Sequence, residues 1–177
     1  MRLVGKSDVV FGVTVSERPP EVEGIESMVG LFINTVPRRV VLEESDTFAS
    51  LLIRVQKTHL NLMHHQHLGL TEIQRLAGMG DLFDTYFVFQ NYPEQTVTLG
   101  DSFPLRVTEM TNGAAGVSHY PLGLTVLPDK CMRLLIGYHS KLFEPIQIER
   151  IKTSLIGILE AIATDVSQRV STRGMVS

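Results

Sequence analysis

The chain of 177 residues is long enough for one compact domain or for half of a larger two-lobed one. Its hydrophobic content of 44% and charged content of 20% are typical of a globular protein and argue against intrinsic disorder. The formal net charge of −3 gives no electrostatic argument for nucleic-acid binding, which depends on a clustered basic surface.

Cysteine usage and hydropathy indicate the compartment. Cys131 is the single cysteine, so an internal disulfide is excluded, and this suits the reducing cytoplasm. No apolar run reaches the roughly 18 residues needed to cross a bilayer, and residues 1–6 are too short an apolar segment for a secretory signal. We expect a cytoplasmic protein with no membrane partner, and we interpret residues 1–7 as an artificial or alternative start within a longer parent chain.

The first predicted strand is residues 8–16, a nearly continuous apolar run rich in valine that is typical of a strand buried on both faces. A polar, proline-bearing surface loop follows, and residues 25–29 predict a single helical turn. Residues 38–43 are the second predicted strand. Gly30, between the turn and this strand, permits either a close approach of two backbone segments or a backbone angle that a side chain would forbid.

Asn34 and Thr35 place two hydrogen-bonding side chains directly behind an apolar run, where they must find partners or face a cavity. Because Pro37 donates no hydrogen bond and biases the preceding residue to extended geometry, we predict that the pair lies at a junction between elements. The pair forms either a tight packing turn, with its side chains bonded to nearby backbone, or the floor of a substrate channel.

The strongest helical periodicity comes next. Asp46 is the predicted N-cap of a helix that begins at Thr47, and Gly69 is its predicted end. His59 lies on the apolar stripe of this helix and is predicted to be half-buried and hydrogen-bonded. The stripe repeats at spacings of three and four: Phe48, Leu51, Leu52, Val55, His59, Leu62 and Met63.

Three further histidines, His64, His65 and His67, are predicted in the last turn of this helix, where partial positive charge suits the helix dipole. His64 and His67 have the i, i+3 spacing of a metal-ligand pair, but no third ligand of the right type is near in the sequence. We interpret the three as a solvated or capping cluster and predict no metal site.

A short helix is predicted at residues 71–77, ending at Gly78, and an aromatic strand runs from Tyr86 towards Gln90 and Asn91. These two amides either bond a neighbouring strand or lie near the mouth of a channel.

The remaining predicted elements are another strand at residues 103–110, a flexible loop at residues 111–117 and a hairpin of residues 122–127 and 132–138. Pro145 opens the last predicted helix, and residues 167–177 lose periodicity and are predicted to be a linker. The buried stripe of that helix is predicted to contain Ile148, Ile151, Leu155, Ile158, Leu159 and Ile162.

Six or so strands interleaved with three or four helices predict an α/β fold, with a sheet covered by helices on at least one face. Residues 8–166 also contain, in order, several segments that resemble the second half of the condensation domains of nonribosomal peptide synthetases. The Gly-x-Phe-x-Asn-Thr motif lies in MVGLFINTVPRRV. The flanking segments are DVVFGVTVSERPPEVEGIESMVGLFINT, HHQHLGLTEIQRLAG, GDLFDTYFVFQNYP and SHYPLGLTVLP.

The resemblance implies a two-layer sandwich like one lobe of the chloramphenicol-acetyltransferase-like fold, in which two lobes form a V around an active-site tunnel. It implies that residues 8–166 are the C-terminal lobe. The reaction would be amide-bond formation between amino acids tethered to carrier proteins by phosphopantetheine arms, with no cofactor bound directly. The implied partners are the N-terminal lobe, peptidyl carrier proteins and a downstream adenylation domain. A lobe without its partner would also expose apolar surface and tend to self-associate.

The catalytic motif of that family, His-His-x-x-x-Asp-Gly, is missing, because the residues after His64 and His65 include no aspartate at the required place. We therefore expect no catalytic residue in this chain and no activity of the chain alone. Ser118 with His119, or Cys131 with a histidine, lacks the geometry of an activated nucleophile. The residues expected to form the tunnel wall are Gly30, Phe32, Asn34, Thr35, Gln90 and Asn91.

Two alternatives remain. A free-standing acyltransferase of the chloramphenicol type requires His-x-x-x-Asp-Gly, which no histidine of this sequence provides. A non-catalytic interaction module could use the same fold. Epimerisation and heterocyclisation domains share the scaffold, and the motifs that would separate them lie outside this chain.

Overall fold

The computed structural model describes residues 6–16, 18, 21–91, 119–128 and 131–170. Over these residues the chain forms one five-stranded sheet, three α-helices and two short 3-10 turns, at Ile25–Ser27 and Met63–His65. The strands are β1 Asp8–Ser16, β2 Ile33–Val41, β3 Thr85–Phe89, β4 Leu122–Leu127 and β5 Arg133–Tyr138. The helices are α1 Phe48–Leu62, α2 Leu70–Ala77 and α3 Pro145–Thr164.

The sheet is mixed, with the strand order β2-β1-β3-β4-β5. β1 pairs with β2 in antiparallel and with β3 in parallel, while β4 is parallel to β3 and antiparallel to β5. One row of paired residues across β1, β3, β4 and β5 contains three glycines. The successive partners in this row are Gly12, Tyr86, Gly123 and Gly137. Strands and helices in one sheet-based domain confirm the predicted α/β class.

β2 begins five residues earlier than predicted and runs through Asn34, Thr35 and Pro37. The prediction that the polar pair lies at a junction between elements is therefore wrong. The reason is that β2 is an edge strand of the described sheet, where proline is tolerated because one side of the backbone has no partner among the five described strands. Nine consecutive residue pairs with β1, from Asp8 with Val41 to Ser16 with Ile33, fix this register.

The predicted ends of α1 are also corrected. Thr47 is the N-cap, its hydroxyl accepting from the Ser50 amide, whereas the buried Asp46 carboxylate accepts from the Glu43 amide at 2.8 Å and pairs with Arg54. The helix ends well before Gly69, which instead precedes the first residue of α2. Along the predicted stripe Phe48 is buried and three residues are half-buried, namely Leu51, Val55 and His59. The other three are exposed, namely Leu52, Leu62 and Met63.

The later elements follow the predictions closely. α2 ends at Gly78, which takes the left-handed φ of 65° that favours glycine. β4 and β5 form the predicted hairpin, and Pro145 is the first residue of α3, after the N-cap Glu144. Ile148 is buried as expected, but Ile158 is 38% exposed. The predicted strand 103–110 and loop 111–117 lie outside the described residues.

The segment expected to begin the linker makes backbone hydrogen bonds with the start of α1. The Gln168 carbonyl accepts from the Phe48 amide at 3.1 Å, and the Val170 amide donates to the Asp46 carbonyl at 2.9 Å. Arg169 forms a β-bridge with Thr47. Residues 167–170 are thus joined to the folded part of the chain, and residues 171–177 lie outside the described part.

The two faces of the sheet carry different groups. On one face α3 packs over β3, β4 and β5 and leaves an apolar cavity of ≈ 240 Å³ beneath Ile151 and Leu155. On the other face, rings of Phe83 and Tyr86 lie with centroids 5.2 and 5.6 Å from that of Tyr120. Across the described ranges, no helix has the length and apolar character needed to cross a membrane.

Candidate functional site at one end of the sheet

The two predicted polar pairs lie at the same end of the sheet. β1 and β3 are parallel and in register at Gly12 with Tyr86, so both strands finish at one edge. β2 starts at that edge, because Asn34 pairs with Val15 near the end of β1. Two strand spacings of about 4.8 Å put the start of β2 and the end of β3 about 10 Å apart. Thr35 is therefore near the same end of the sheet as Gln90 and Asn91, and β1 lies between Thr35 and these two residues.

Asn34 is half-buried and bonded through all of its polar atoms. Its amide nitrogen donates to the carbonyl oxygens of Gln66 at 2.7 Å and Leu68 at 2.9 Å. Its Oδ1 accepts from the backbone N–H of Thr35 at 2.9 Å. Bonding to nearby backbone was one of the two predicted alternatives. The Thr35 amide is such a neighbour, whereas the carbonyl groups of Gln66 and Leu68 lie more than thirty residues further along the chain.

Phe32 stacks with an arginine that was not predicted as a site residue, and its ring lies close to Gly30. The Arg18 guanidinium carbon lies 4.3 Å from the centroid of the Phe32 ring, and Arg18 also donates to the Met28 carbonyl oxygen at 3.2 Å. A Cβ at Gly30 would fall 3.3 Å from the same ring. The described glycines with left-handed φ are Gly24 and Gly78, so Gly30 serves a close approach and not an unusual backbone angle. Arg18 and Phe32 are far apart in the sequence, so no pattern of neighbouring residues predicts their stacking.

An exposed apolar strip precedes β2. We use that name for Met28, Val29, Leu31 and Ile33. Val29 and Leu31 expose 103% and 90% of their reference area, and Met28 and Ile33 expose about half as much. Four large apolar side chains exposed within six residues of sequence make this strip a candidate contact surface. Phe32, between Leu31 and Ile33, is half-buried against Arg18 instead.

Gln90 and Asn91 extend β3 beyond its last paired residue. The Gln90 amide donates to the Val126 carbonyl oxygen at 2.9 Å, which continues the contact between β3 and β4. Gln90 is half-buried and Asn91 is exposed. The structure thus places all six predicted tunnel residues on β2, on the segment before it or directly after β3, and β1 lies between the two polar pairs.

His59 is half-buried and hydrogen-bonded, as predicted. Nη2 of the buried Arg38 lies 2.6 Å from His59 Nδ1 and donates to it, which assigns the proton of the neutral imidazole to Nε2. Burial lowers the pKa of His59, and the positive charge of Arg38 lowers it further. Nη1 of Arg38 is buried and has no hydrogen-bond partner among the described residues. Arg38 was not predicted as a site residue, although neighbouring strand residues such as Arg38 and Arg39 must face opposite sides of a sheet.

The remaining chemical candidates do not assemble into a site. His64, His65 and His67 are exposed, and over the part of the chain that the structure describes no three His, Cys, Asp or Glu side chains are grouped to hold a metal. Ser118 lies outside the described residues, and Cys131 is exposed. The six residues predicted to form the tunnel wall provide one phenyl ring, three side-chain amides and one hydroxyl.

Comparison with known proteins decides the family. The model of the family described as "Condensation domain" matches residues 1–177. The chain belongs to the condensation domain family. Chondramide synthase cmdD of Chondromyces crocatus is 39% identical to it over 174 residues, which are 97% of this chain and 4% of that protein. Surfactin synthase subunit 3 of Bacillus subtilis is 37% identical over 169 residues, which are 96% of this chain and 13% of that protein.

Solved structures show the same fold. The starter condensation domain of rhizomide synthetase RzmA superposes with a TM-score of 0.70 at 18% identity, covering 99% of this chain and 41% of that one. Holo-AB3403, a four-domain nonribosomal peptide synthetase, superposes with a TM-score of 0.77 at 15% identity, covering 97% of this chain and 14% of that one. The condensation-domain chain therefore corresponds to part of the domain and to a small fraction of the synthetases that it resembles.

Proposed function

We propose that residues 8–166 are the C-terminal lobe of a condensation domain that joins carrier-tethered amino acids by an amide bond. The observation that carries this proposal is the family match over all 177 residues together with coverage of 41% of a complete starter condensation domain. The order of the motifs supports the second half of the domain. The His-His-x-x-x-Asp-Gly motif, absent from the sequence, would belong to the other lobe and would orient or deprotonate the attacking amine.

The end of the sheet where β1 and β3 finish is the proposed wall of the substrate tunnel. Its residues would be Gly30, Phe32, Asn34, Thr35, Gln90 and Asn91. The support is their common location, since ligands of α/β sheets gather outside the carboxyl ends of parallel strands. This lobe would bind no cofactor directly. The phosphopantetheine arms of carrier proteins would enter the tunnel as tethered substrates.

The exposed apolar strip is the proposed contact surface for the N-terminal lobe. Val29 and Leu31 are almost fully solvent-exposed in this chain, and apolar side chains in such positions favour burial against a partner. Peptidyl carrier proteins and a downstream adenylation domain complete the proposed set of partners, in keeping with the multidomain relative that shares the fold.

A condensation assay tests the lobe assignment. Donor and acceptor carrier proteins are loaded with their amino acids, and product formation is compared between this chain and a longer chain that also contains the preceding residues of its parent. We expect product with the longer chain alone, because the catalytic motif would lie in the added part. A reaction without the acceptor carrier is the blank. Product formed by the short chain would contradict the proposal and would require a base among its six histidines.

A further inference from the structure

We propose that Asn34 is a positioning residue, which acts on condensation by holding the turn of residues 66–68 against the start of β2 and not by touching a substrate. The inference rests on the proposed tunnel at this end of the sheet. It gives the asparagine of the Gly-x-Phe-x-Asn-Thr segment a role that its place in the sequence does not reveal.

The hydrogen-bonding capacity of Asn34 carries the inference. An asparagine side chain has two N–H donors and one carbonyl oxygen. Both donors are used by the carbonyl oxygens of Gln66 and Leu68, at 2.7 and 2.9 Å. The carbonyl oxygen accepts one hydrogen bond, from the Thr35 amide. Asn34 can therefore donate to a substrate only by releasing the turn, and the half-buried carbonyl oxygens of Gln66 and Leu68 would then lose their donor at a cost in free energy.

The hydrogen bonds of Asn34 lie where they alone, among the contacts described below, hold the turn of residues 66–68 against β2. In the described part of the chain, polar contacts at three points join β2 to the segment that begins with α1. Arg54 donates to the Val41 carbonyl oxygen at 2.8 Å, Arg38 donates to His59, and Asn34 holds residues 66–68. They follow one another in opposite order along the two segments, so α1 and the turn run antiparallel to β2. Loss of the Asn34 contact would free the turn while the other two contacts keep α1 in place.

The turn borders the proposed tunnel. Gln66 and Leu68 are half-buried, whereas His64, His65 and His67 are exposed around them. Because residues 66 and 68 are fixed to the first residues of β2, their displacement would alter the width of the tunnel at that edge. The tethered arm of a carrier-bound substrate would then bind more weakly, even though Asn34 itself makes no contact with it.

Amide hydrogen exchange on this chain tests the first half of the inference. The variants are Asn34→Ala and Asn34→Asp, because aspartate keeps the size of the side chain but loses both N–H donors. We expect both to accelerate exchange at the Gln66 and Leu68 amides about tenfold, the effect of about 1.4 kcal/mol from lost hydrogen bonds. Asn61→Ala, which removes an exposed amide from α1, is the matched control and should leave these rates unchanged.

Steady-state condensation by the complete domain tests the second half. We expect both Asn34 variants to raise the KM for the carrier-bound substrate about tenfold with a smaller effect on kcat. A loss of folded protein alone would lower kcat and leave KM unchanged. If Asn34→Ala fails to fold, Asn34→Ser, which retains one donor, replaces it in both measurements.

Two results would overturn the inference. If the exchange rates at residues 66 and 68 are unchanged while condensation is impaired, Asn34 acts by direct contact with the substrate and not by positioning the turn. Faster exchange with an unchanged KM would show that the turn does not shape the substrate path. Neither result bears on the lobe assignment, which is decided by comparing the short and long chains in the condensation assay.

Discussion

At the scale of single residues, two glycines make room for the aromatic cluster on the face of the sheet opposite α3. A Cβ on Gly12 would collide with the Phe83 ring, and a Cβ on Gly123 would collide with the Tyr86 ring. Both rings also pack against Tyr120. The glycines are therefore required for packing across the sheet, since the left-handed positions of the described residues, Gly24 and Gly78, lie outside the strands.

We expect Gly123→Ala to lower the free energy of unfolding by about 1–3 kcal/mol, because the added methyl group must displace the Tyr86 ring from a packed cluster. Gly137→Ala is the matched control. It lies next to Gly123 in the same cross-strand row, but its Cβ would meet open space, and its effect should stay within about 0.5 kcal/mol. Urea denaturation measures both. Equal losses of stability in the two variants would argue against the collision.

At the scale of elements, α1 is attached to β2 through an unusual pair, a buried arginine and a half-buried histidine. Arg38 is 3% exposed, and its pKa is lowered by burial. Its described hydrogen-bond partner is the neutral imidazole of His59. Protonation of His59 would remove the acceptor and place a second positive charge beside the guanidinium, so the contact between α1 and β2 depends on an uncharged histidine.

The pH dependence of stability follows from this pair. Because the pKa of His59 is lower in the folded than in the unfolded chain, the unfolded chain binds more protons near pH 6. The stabilising contribution is complete above the unfolded pKa of about 6.5 and is lost as the pH falls through the folded pKa. We expect His59→Gln, which keeps an acceptor for Arg38 but does not titrate, to flatten the loss of stability between about pH 7 and pH 5.

The control for this titration is His67→Gln, which removes an exposed histidine from the turn after α1. Urea denaturation at several pH values should give the wild-type pH dependence for this variant. If His67→Gln and His59→Gln change the curve equally, the pair with Arg38 is not its cause.

The sequence was sufficient to predict the boundaries of elements that are set by local residue patterns. The valine run of β1, the glycine after α2 and the proline at the start of α3 each marked a boundary correctly. It failed where a distant partner overrides a local signal. Pro37 indicated a break, but pairing with β1 carries the strand through it. Asp46 and Thr47 are both good caps, and the choice between them depends on Ser50 and Arg54.

The candidate site also divides into a part that could be predicted from the sequence and a part that could not. Its residue types could be read from the sequence, because polar side chains behind apolar runs require partners. Its assembly could not, since the parallel pairing of β1 with β3 brings Gln90 to the edge where Asn34 lies. The contact of Asn34 with residues 66–68 spans more than thirty positions and has no local signature.

At the scale of the whole molecule, the exposed apolar strip should make the isolated chain self-associate. Val29 and Leu31 are almost fully exposed on a segment that Arg18 contacts at the Met28 carbonyl oxygen and the Phe32 ring. Two copies of the chain could bury these side chains against each other, at about 25 cal/mol for each Å² of apolar surface removed from water. In a complete domain the proposed N-terminal lobe would cover the same surface.

Sedimentation velocity over a range of concentrations measures this association. We expect the double variant Val29→Ser/Leu31→Ser to weaken it at least about tenfold, which corresponds to about 1.4 kcal/mol of lost contact energy. The matched control is Leu142→Ser/Ile146→Ser, which removes two exposed apolar side chains at the start of α3, where 61% and 58% of their areas are accessible. If both double variants weaken association equally, exposed apolar side chains in general cause the association, and the strip has no special part in it. A wild-type chain that stays monomeric throughout would remove the strip as a self-association surface, because its apolar side chains would then tolerate water without a partner.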